Sequence, residues 1–424
     1  MCAVAESRWF QQDVIVVVEN PSDQPNLERL QLACHVFGAE LLLVQDAKPQ
    51  DPRCRKSLDL LKEGYDSKFR ISNSTTNCMK ELRKEGTRSL ATALDEHSVS
   101  IYDTCFDCGK IALWFGQEKH GLTDEAIAAA HERIFIPMAG MVQSLNVAAS
   151  AAVILAEVAR QRVFNFPVQK WPADKSEATK ESTGGYAQDV VDKTNHLESA
   201  RTEKFMAIAR KRQRGLVVVL HDPDRLDAGA MLRACDAFGV AEVHFVFEAT
   251  KAFDPLANRQ VMKSEGSNLW VCSRVFHKAG DCFEHLTQRG FTHALLSPDP
   301  QQPSEMVFES RLGLEPQVAL WLGRPPAPSM TRLGLPGVGK ALAASNFVAL
   351  VLAELVRQRN SGSATCWRLT PDEQLSYLKW CTAVHAKRHP SVSQGEGFEG
   401  FEGAMSPEYE RLGRLRAELA RQGW

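Results

Sequence analysis

Short apolar runs alternate along the chain with longer segments whose apolar residues recur at helical spacing. Val14 to Val18 and Leu216 to Leu220 are β-branched runs of strand length, each followed by helical-period sequence. This alternation predicts parallel strands covered by helices on both faces, an α/β architecture. The pattern occurs twice. CHVFGAELLLV at Cys34 to Val44 returns as CDAFGVAEVHFV at Cys235 to Val246. ALWFG at Ala112 to Gly116 returns as ALWLG at Ala319 to Gly323, and AEVARQR at Ala156 to Arg162 as AELVRQR at Ala353 to Arg359. Three matches in one order, offset by 201, 207 and 197 residues, describe two copies of one domain. The copies run from about Asp13 to Arg162 and from about Leu216 to Arg359. Each ends on an apolar helix finishing in Arg-Gln-Arg, whose cations suit the negative end of the helix dipole.

Between the copies, FPVQKWPADKSEATKESTGG has no apolar period and reads as a linker. The expected boundaries are residues 1–165 for the first domain, 166–200 for the linker, 201–362 for the second domain with a basic N-terminal helix, and 363–424 for a basic C-terminal extension. The basic helix, ARTEKFMAIARKRQR, carries Arg201, Lys204, Arg210, Lys211, Arg212 and Arg214. The extension carries Lys387 and Arg388, then Arg411, Arg414, Arg416 and Arg421.

A length of 424 residues excludes one small core, and 44% hydrophobic with 24% charged residues is an ordinary globular composition. The longest apolar stretches, Val147 to Ala156 and Phe347 to Leu352, fall short of the roughly 18 residues that span a bilayer, so no membrane role is expected. A net charge of −2 means that nucleic-acid binding would need a local basic face. The two basic flanks of the second copy supply one, suited to a phosphate backbone. Eleven cysteines, mostly within apolar patterns, and an N-terminus without a targeting pattern point to reduced thiols in a cytoplasmic setting.

Candidate chemistry gathers in three segments. LWFGQEKHGL (Leu113 to Leu122) and IPMAGMVQSLNVAASAAVILAEVARQR (Ile136 to Arg162) lie in the first copy, and DAGAMLRACDAFGVAEVHFV (Asp227 to Val246) in the second. Gly116 and Gly140 permit close approach to a ligand held by main-chain groups. Ser144 and Asn146 precede a helix and read as its caps. These segments resemble motifs 2, 3 and 1 of the TrmH (SpoU) family of the SPOUT superfamily, and the resemblance covers both copies. It implies two tandem SPOUT domains of trefoil-knotted α/β fold that use S-adenosylmethionine to methylate ribose 2′-oxygens of RNA. The ARKRQ helix and the YLKW and AKRH tail resemble the tRNA-binding extensions of such enzymes.

The copies depart from the family pattern in complementary ways. Six residues before the motif 1 glycine, where the family has its catalytic arginine, the second copy has Arg233 and the first has Leu32. Twelve before it, where the family has asparagine, the first copy has Asn26 and the second Asp227. Opposite Gln117 and Glu118 the second copy has Arg324 and Pro325, and opposite Ser144 and Asn146 it has Ala341 and Ala343. Family members are homodimers with sites at the subunit interface. The resemblance therefore implies an intramolecular pseudo-dimer, monomeric in solution, with one composite site. Its catalytic group comprises Arg233, Glu118, Ser144, Asn146 and Asp227, and its donor pocket Thr92, Gly116, Ile136, Met138, Ser144 and Leu145. Arg201, Lys204, Arg210, Lys211, Arg212, Lys387 and Arg388 are the expected RNA contacts. The implied substrate is a D-loop guanosine of tRNA; the alternatives are rRNA, or an inactive RNA-binding or assembly factor.

GLPGVGKA (Gly334 to Ala341) matches the core of a phosphate-binding loop, but Ala341 cannot bind Mg²⁺ as Ser or Thr would. Cys105 and Cys108 offer too few ligands for structural zinc and read as a turn, so no metal is expected. His120 reads as structural.

Overall fold

The computed structural model describes Phe10 and residues 13–45, 69–168 and 205–388, apart from 108, 118–119, 143, 259, 262–265, 301, 303, 328–329, 336–340 and 362–366. In the first repeat the order is β1 (Val14–Glu19), α1 (Gln24–Phe37), β2 (Glu40–Val44), β3 (Phe69–Ser72), α2 (Thr75–Lys84), β4 (Arg88–Thr92), β5 (Val99–Ser100), β6 (Ile111–Phe115), α3 (Asp124–Ala129), β7 (Glu132–Phe135) and α4 (Val147–Arg162). After a helical segment at 205–211, the second repeat follows with β8 (Gln213–His221), α5 (Arg225–Ala237), β9 (Val240–Val246), β10 (Cys272–Phe276), α6 (Ala279–Gln288), β11 (Thr292–Leu296), β12 (Glu305–Met306), β13 (Val318–Leu322), β14 (Thr331–Gly334) and α7 (Ala344–Asn360). A last helix, α8, spans Pro371–Arg388.

Each repeat forms a seven-stranded sheet, β3-β2-β1-β6-β4-β7-β5 and β10-β9-β8-β13-β11-β14-β12. The second order is the first, strand for strand, and every ladder is parallel. The two-copy α/β expectation is met. Central strands such as VIVVVE and IALWF are buried at every position, as a sheet covered on both faces requires. The Phe-Gly shared by both copies ends a helix: Gly38 and Gly239 sit at φ 75° and 76°, where a side chain would be strained.

One cluster of buried side chains runs through both repeats, and α4 packs against α7 within it. The Tyr102 hydroxyl crosses this contact to donate to the Ala353 carbonyl at 3.2 Å. The Arg-Gln-Arg helix ends do more here than face a dipole. Arg160 is buried against Glu157 and Arg357 against Glu354, while Gln161 and Gln358 bind those same carboxylates and reach the loops after β5 and β12. The repeated sequence is thus a repeated buried network.

Segment 205–211 and α8 lie together on the second repeat, joined by Phe205, Ile208, Trp270, Tyr377, Trp380 and Cys381. This corrects one expected RNA contact. Arg212 has no exposed surface: its Nη2 donates to Asp236 Oδ1 and to the Trp270 carbonyl at 2.9 Å, and its Nε to the Tyr377 hydroxyl at 2.9 Å. Its position at the strand entrance turns it inward, although Arg210 and Arg214, two residues to either side, are exposed. Among the described residues no helix is long and apolar enough to cross a membrane.

Candidate active site

In a parallel α/β sheet, ligands bind beyond the carboxyl ends of the strands. Neighbouring strands β6, β4 and β7 end there at Phe115, Thr92 and Phe135, so the loops carrying Gly116 and Ile136 to Asn146 emerge side by side. Thr92 Oγ1 donates to the Trp114 carbonyl at 2.8 Å. Ile136 and Leu145 are 8% and 7% exposed, with Met138 packed partly buried beside the core. Asn146 caps α4, its Oδ1 accepting from the Ala148 amide at 2.9 Å, while its Nδ2 donates to Asn26 Oδ1.

The second repeat enters this loop directly. Arg233 Nε donates to the Ser144 carbonyl at 2.7 Å and its Nη2 to Ser144 Oγ at 2.6 Å. The loop is fixed against α5 by three main-chain donors. Ala139 N–H reaches the Ala237 carbonyl at 2.7 Å, and the amides of Met141 and Val142 reach Asp236 Oδ2 at 3.0 and 2.9 Å. Asp236 is fully buried, and Arg212 holds its other oxygen. One buried ion pair in the second repeat therefore positions the loop of the first.

Both expected glycine roles change. A Cβ on Gly140 would lie 2.1 Å from the Asp236 carbonyl oxygen, so its close approach is to α5 rather than to a ligand. A Cβ on Gly116 would lie 1.9 Å from the Gly121 carbonyl carbon, because Gln117 and Gly121 pair across a tight turn. Glu118, on that turn, lies outside the described residues; His120 there is exposed. Glu19, 1% exposed, anchors the turn's return by accepting from the amide and hydroxyl of Thr123, both at 2.8 Å, and from Thr75 Oγ1. Nothing in the sequence marks Glu19 beyond its place at a strand end.

Asp227 lies 2.7 Å from Arg29 of the first repeat. Arg29 was not singled out by sequence; its sign, opposite to the Asp that stands where the family has asparagine, is the available clue. The remaining expectations separate. Arg210 is exposed, Lys211 partly so, and Arg214 pairs with Glu373 at 3.2 Å. Lys387 and Arg388 fall in the last turn of α8, and Arg201, Lys204, residues 336–340 and Cys108 lie outside the described residues. Leu32 packs against the core, and Ala343 caps α7 with no side-chain hydrogen bond.

Glu242, His244 and His285 place donor atoms within 4.8 Å of one another. Arg274 at 2.8 Å and Arg289 at 2.9 Å already occupy the carboxylate, so a cation there would face two guanidinium groups. Burial and those arginines also hold His285 down to about 4.

Residues 13–156 match the model of the SpoU rRNA Methylase family. A tRNA (guanosine(18)-2′-O)-methyltransferase of Thermus thermophilus is 34% identical over 159 residues, 37% of this chain and 79% of that protein. The chain belongs to the SpoU methylase family. A protein of the same description from Escherichia coli K12 is 46% identical over 81 residues, 19% of this chain and 35% of its own. Among solved structures, the SpoU-family tRNA modifying enzyme TrmH of A. aeolicus has a TM-score of 0.38 at 20% identity, covering 44% of this chain and 97% of that one. The SpoU methyltransferase AviRb of Streptomyces viridochromogenes, in complex with AdoMet, has a TM-score of 0.30 at 26% identity over 38% of this chain and 63% of its own.

Proposed function

We propose that the chain methylates the 2′-oxygen of a D-loop guanosine in tRNA, at one composite site formed by its two repeats docked as a pseudo-dimer of trefoil-knotted domains. The observation that carries this is Arg233 of the second repeat clasping Ser144 of the first by both main chain and side chain. The relatives named as tRNA (guanosine(18)-2′-O)-methyltransferases support the substrate.

The carboxyl edge of the first sheet suits S-adenosylmethionine. Ile136, Met138 and Leu145 offer an apolar lining, and Thr92 with the main chain of 136–138 and 144–146 offers hydrogen-bonding groups. When bound, the donor supplies an already activated methyl group. The protein's tasks are then alignment and removal of one proton from the ribose hydroxyl. Arg233, held at Ser144, presents a cation to the acceptor. An arginine stays protonated, so it acts by drawing a substrate phosphate and the hydroxyl together and lowering the hydroxyl's pKa, the phosphate taking the proton. Asn146 and Glu118 orient the ribose. The reciprocal pairing, of Leu32 in the first repeat with the loop of Ala341 and Ala343 in the second, lacks these groups and forms no second site.

The test is to incubate the protein and Arg233→Ala with tRNA and labelled donor and to map ribose methylation. Wild type should modify one guanosine, and the variant should lose about 10²- to 10³-fold in kcat. Absence of product on both tRNA and rRNA would leave an RNA-binding role alone.

A further inference from the structure

Three contacts and the helix α5 close a ring that spans the two repeats. Arg233 on α5 binds Ser144; two residues on, Asn146 binds Asn26 on α1; one turn along α1, Arg29 binds Asp227; and Asp227 returns to α5. The ring brackets the site proposed above, and it holds one carboxylate. An aspartate at that rim repels any RNA phosphate that Arg233 draws in, and it stands where the family has a neutral asparagine. Arg29 answers it from the other repeat at 2.7 Å, both side chains about a third exposed.

We infer that Arg29 is the counter-charge that lets the composite site accept an RNA phosphate beside Asp227, a positioning residue for RNA rather than a structural strut. The inference rests on the proposed function for the identity of the ligand. Its physics is a charge sum. The wild-type pair is neutral, Arg29→Ala leaves −1, Asp227→Asn leaves +1, and the double variant is neutral again. At the rim of a partly hydrated site, one unit charge within several ångströms of a phosphate changes affinity by about three- to fifty-fold, according to how much water intervenes. Salt screens it, with a Debye length of about 3 Å at 1 M.

The experiment measures the affinity of the full chain and the three variants for unmodified tRNA at low and high salt, with methyl transfer recorded on the same samples. Binding should weaken about five- to twenty-fold in Arg29→Ala. It should tighten in Asp227→Asn, return to near wild type in the double variant, and lose this spread at high salt. A double variant no better than Arg29→Ala, or an Asp227→Asn as weak as Arg29→Ala, would overturn the inference, since a strut fails whichever partner is removed. Should Arg29→Ala not fold, the tightening in Asp227→Asn alone decides. Wild type that binds tRNA without methylating it would remove the methyltransferase reading while the affinity order still judges Arg29. Wild type with no affinity for tRNA or rRNA would overturn both.

Discussion

Replacing Asp236 by alanine removes the one carboxylate on which the loop of the first repeat and the C-terminal layer of the second both converge. Arg212 would keep the Trp270 carbonyl and the Tyr377 hydroxyl but remain a fully buried cation without an anion. Breaking such a pair by removing one partner costs about 3–5 kcal/mol. The amides of Met141 and Val142 lose a charged acceptor as well, each such bond contributing about 1.5–3 kcal/mol. The terms share one carboxylate and do not add, so the expected loss is about 4 kcal/mol, a large part of the roughly 5–15 kcal/mol that holds a typical protein folded. Urea unfolding followed by tryptophan fluorescence is the assay, because Trp270 and Trp380 lie in the cluster that Arg212 anchors. The pair Asp236→Leu with Arg212→Met, which removes both charges, should recover much of the loss. A cost under about 1 kcal/mol for Asp236→Ala, or a double variant as unstable as the single, would refute the reasoning.

Gly140→Ala should separate the loop from α5, since its Cβ meets the Asp236 carbonyl at 2.1 Å; donor affinity measured by calorimetry should fall about 5- to 150-fold, the equivalent of an overpacking cost of about 1–3 kcal/mol, and unchanged affinity would contradict the packing. His285 ordinarily titrates near 6.5 but is held to about 4 by burial and by Arg274, His244 and Arg289. The unfolded chain therefore takes up this proton first as pH falls, and stability is lost between about 6.5 and 4. Urea midpoints at several pH values should fall less steeply in His285→Gln than in wild type; an identical slope would sink the assignment.

The repeat was legible because each sheet is buried on both faces, which writes its central strands as unbroken apolar runs, such as IALWF and VALWL in equivalent places. Asn146 was legible as a cap, and Arg233 by its spacing from Gly239, whereas Ser144, read as a second cap, binds Arg233 instead. What escaped depends on partners far along the chain. Arg212 sits in a basic run that looks solvated until Asp236 and Tyr377 enclose it, and Gly140 looks like a ligand cradle until α5 fills the space. Arg29 gains meaning only from Asp227, 198 residues away. The Arg-Gln-Arg ends were visible as a repeat but not as buried networks, because the sequence does not show that Glu157 and Glu354 face them from one turn earlier inside a helix contact.

The central claim is that two incomplete repeats make one site. Titrating the full chain with S-adenosylmethionine by calorimetry, with its mass in solution measured on the same sample, tests it most directly. The account predicts a monomer that binds one donor molecule per chain, with binding retained in Arg233→Ala while methyl transfer is lost. Two equivalent donor molecules per chain, or none, would contradict it.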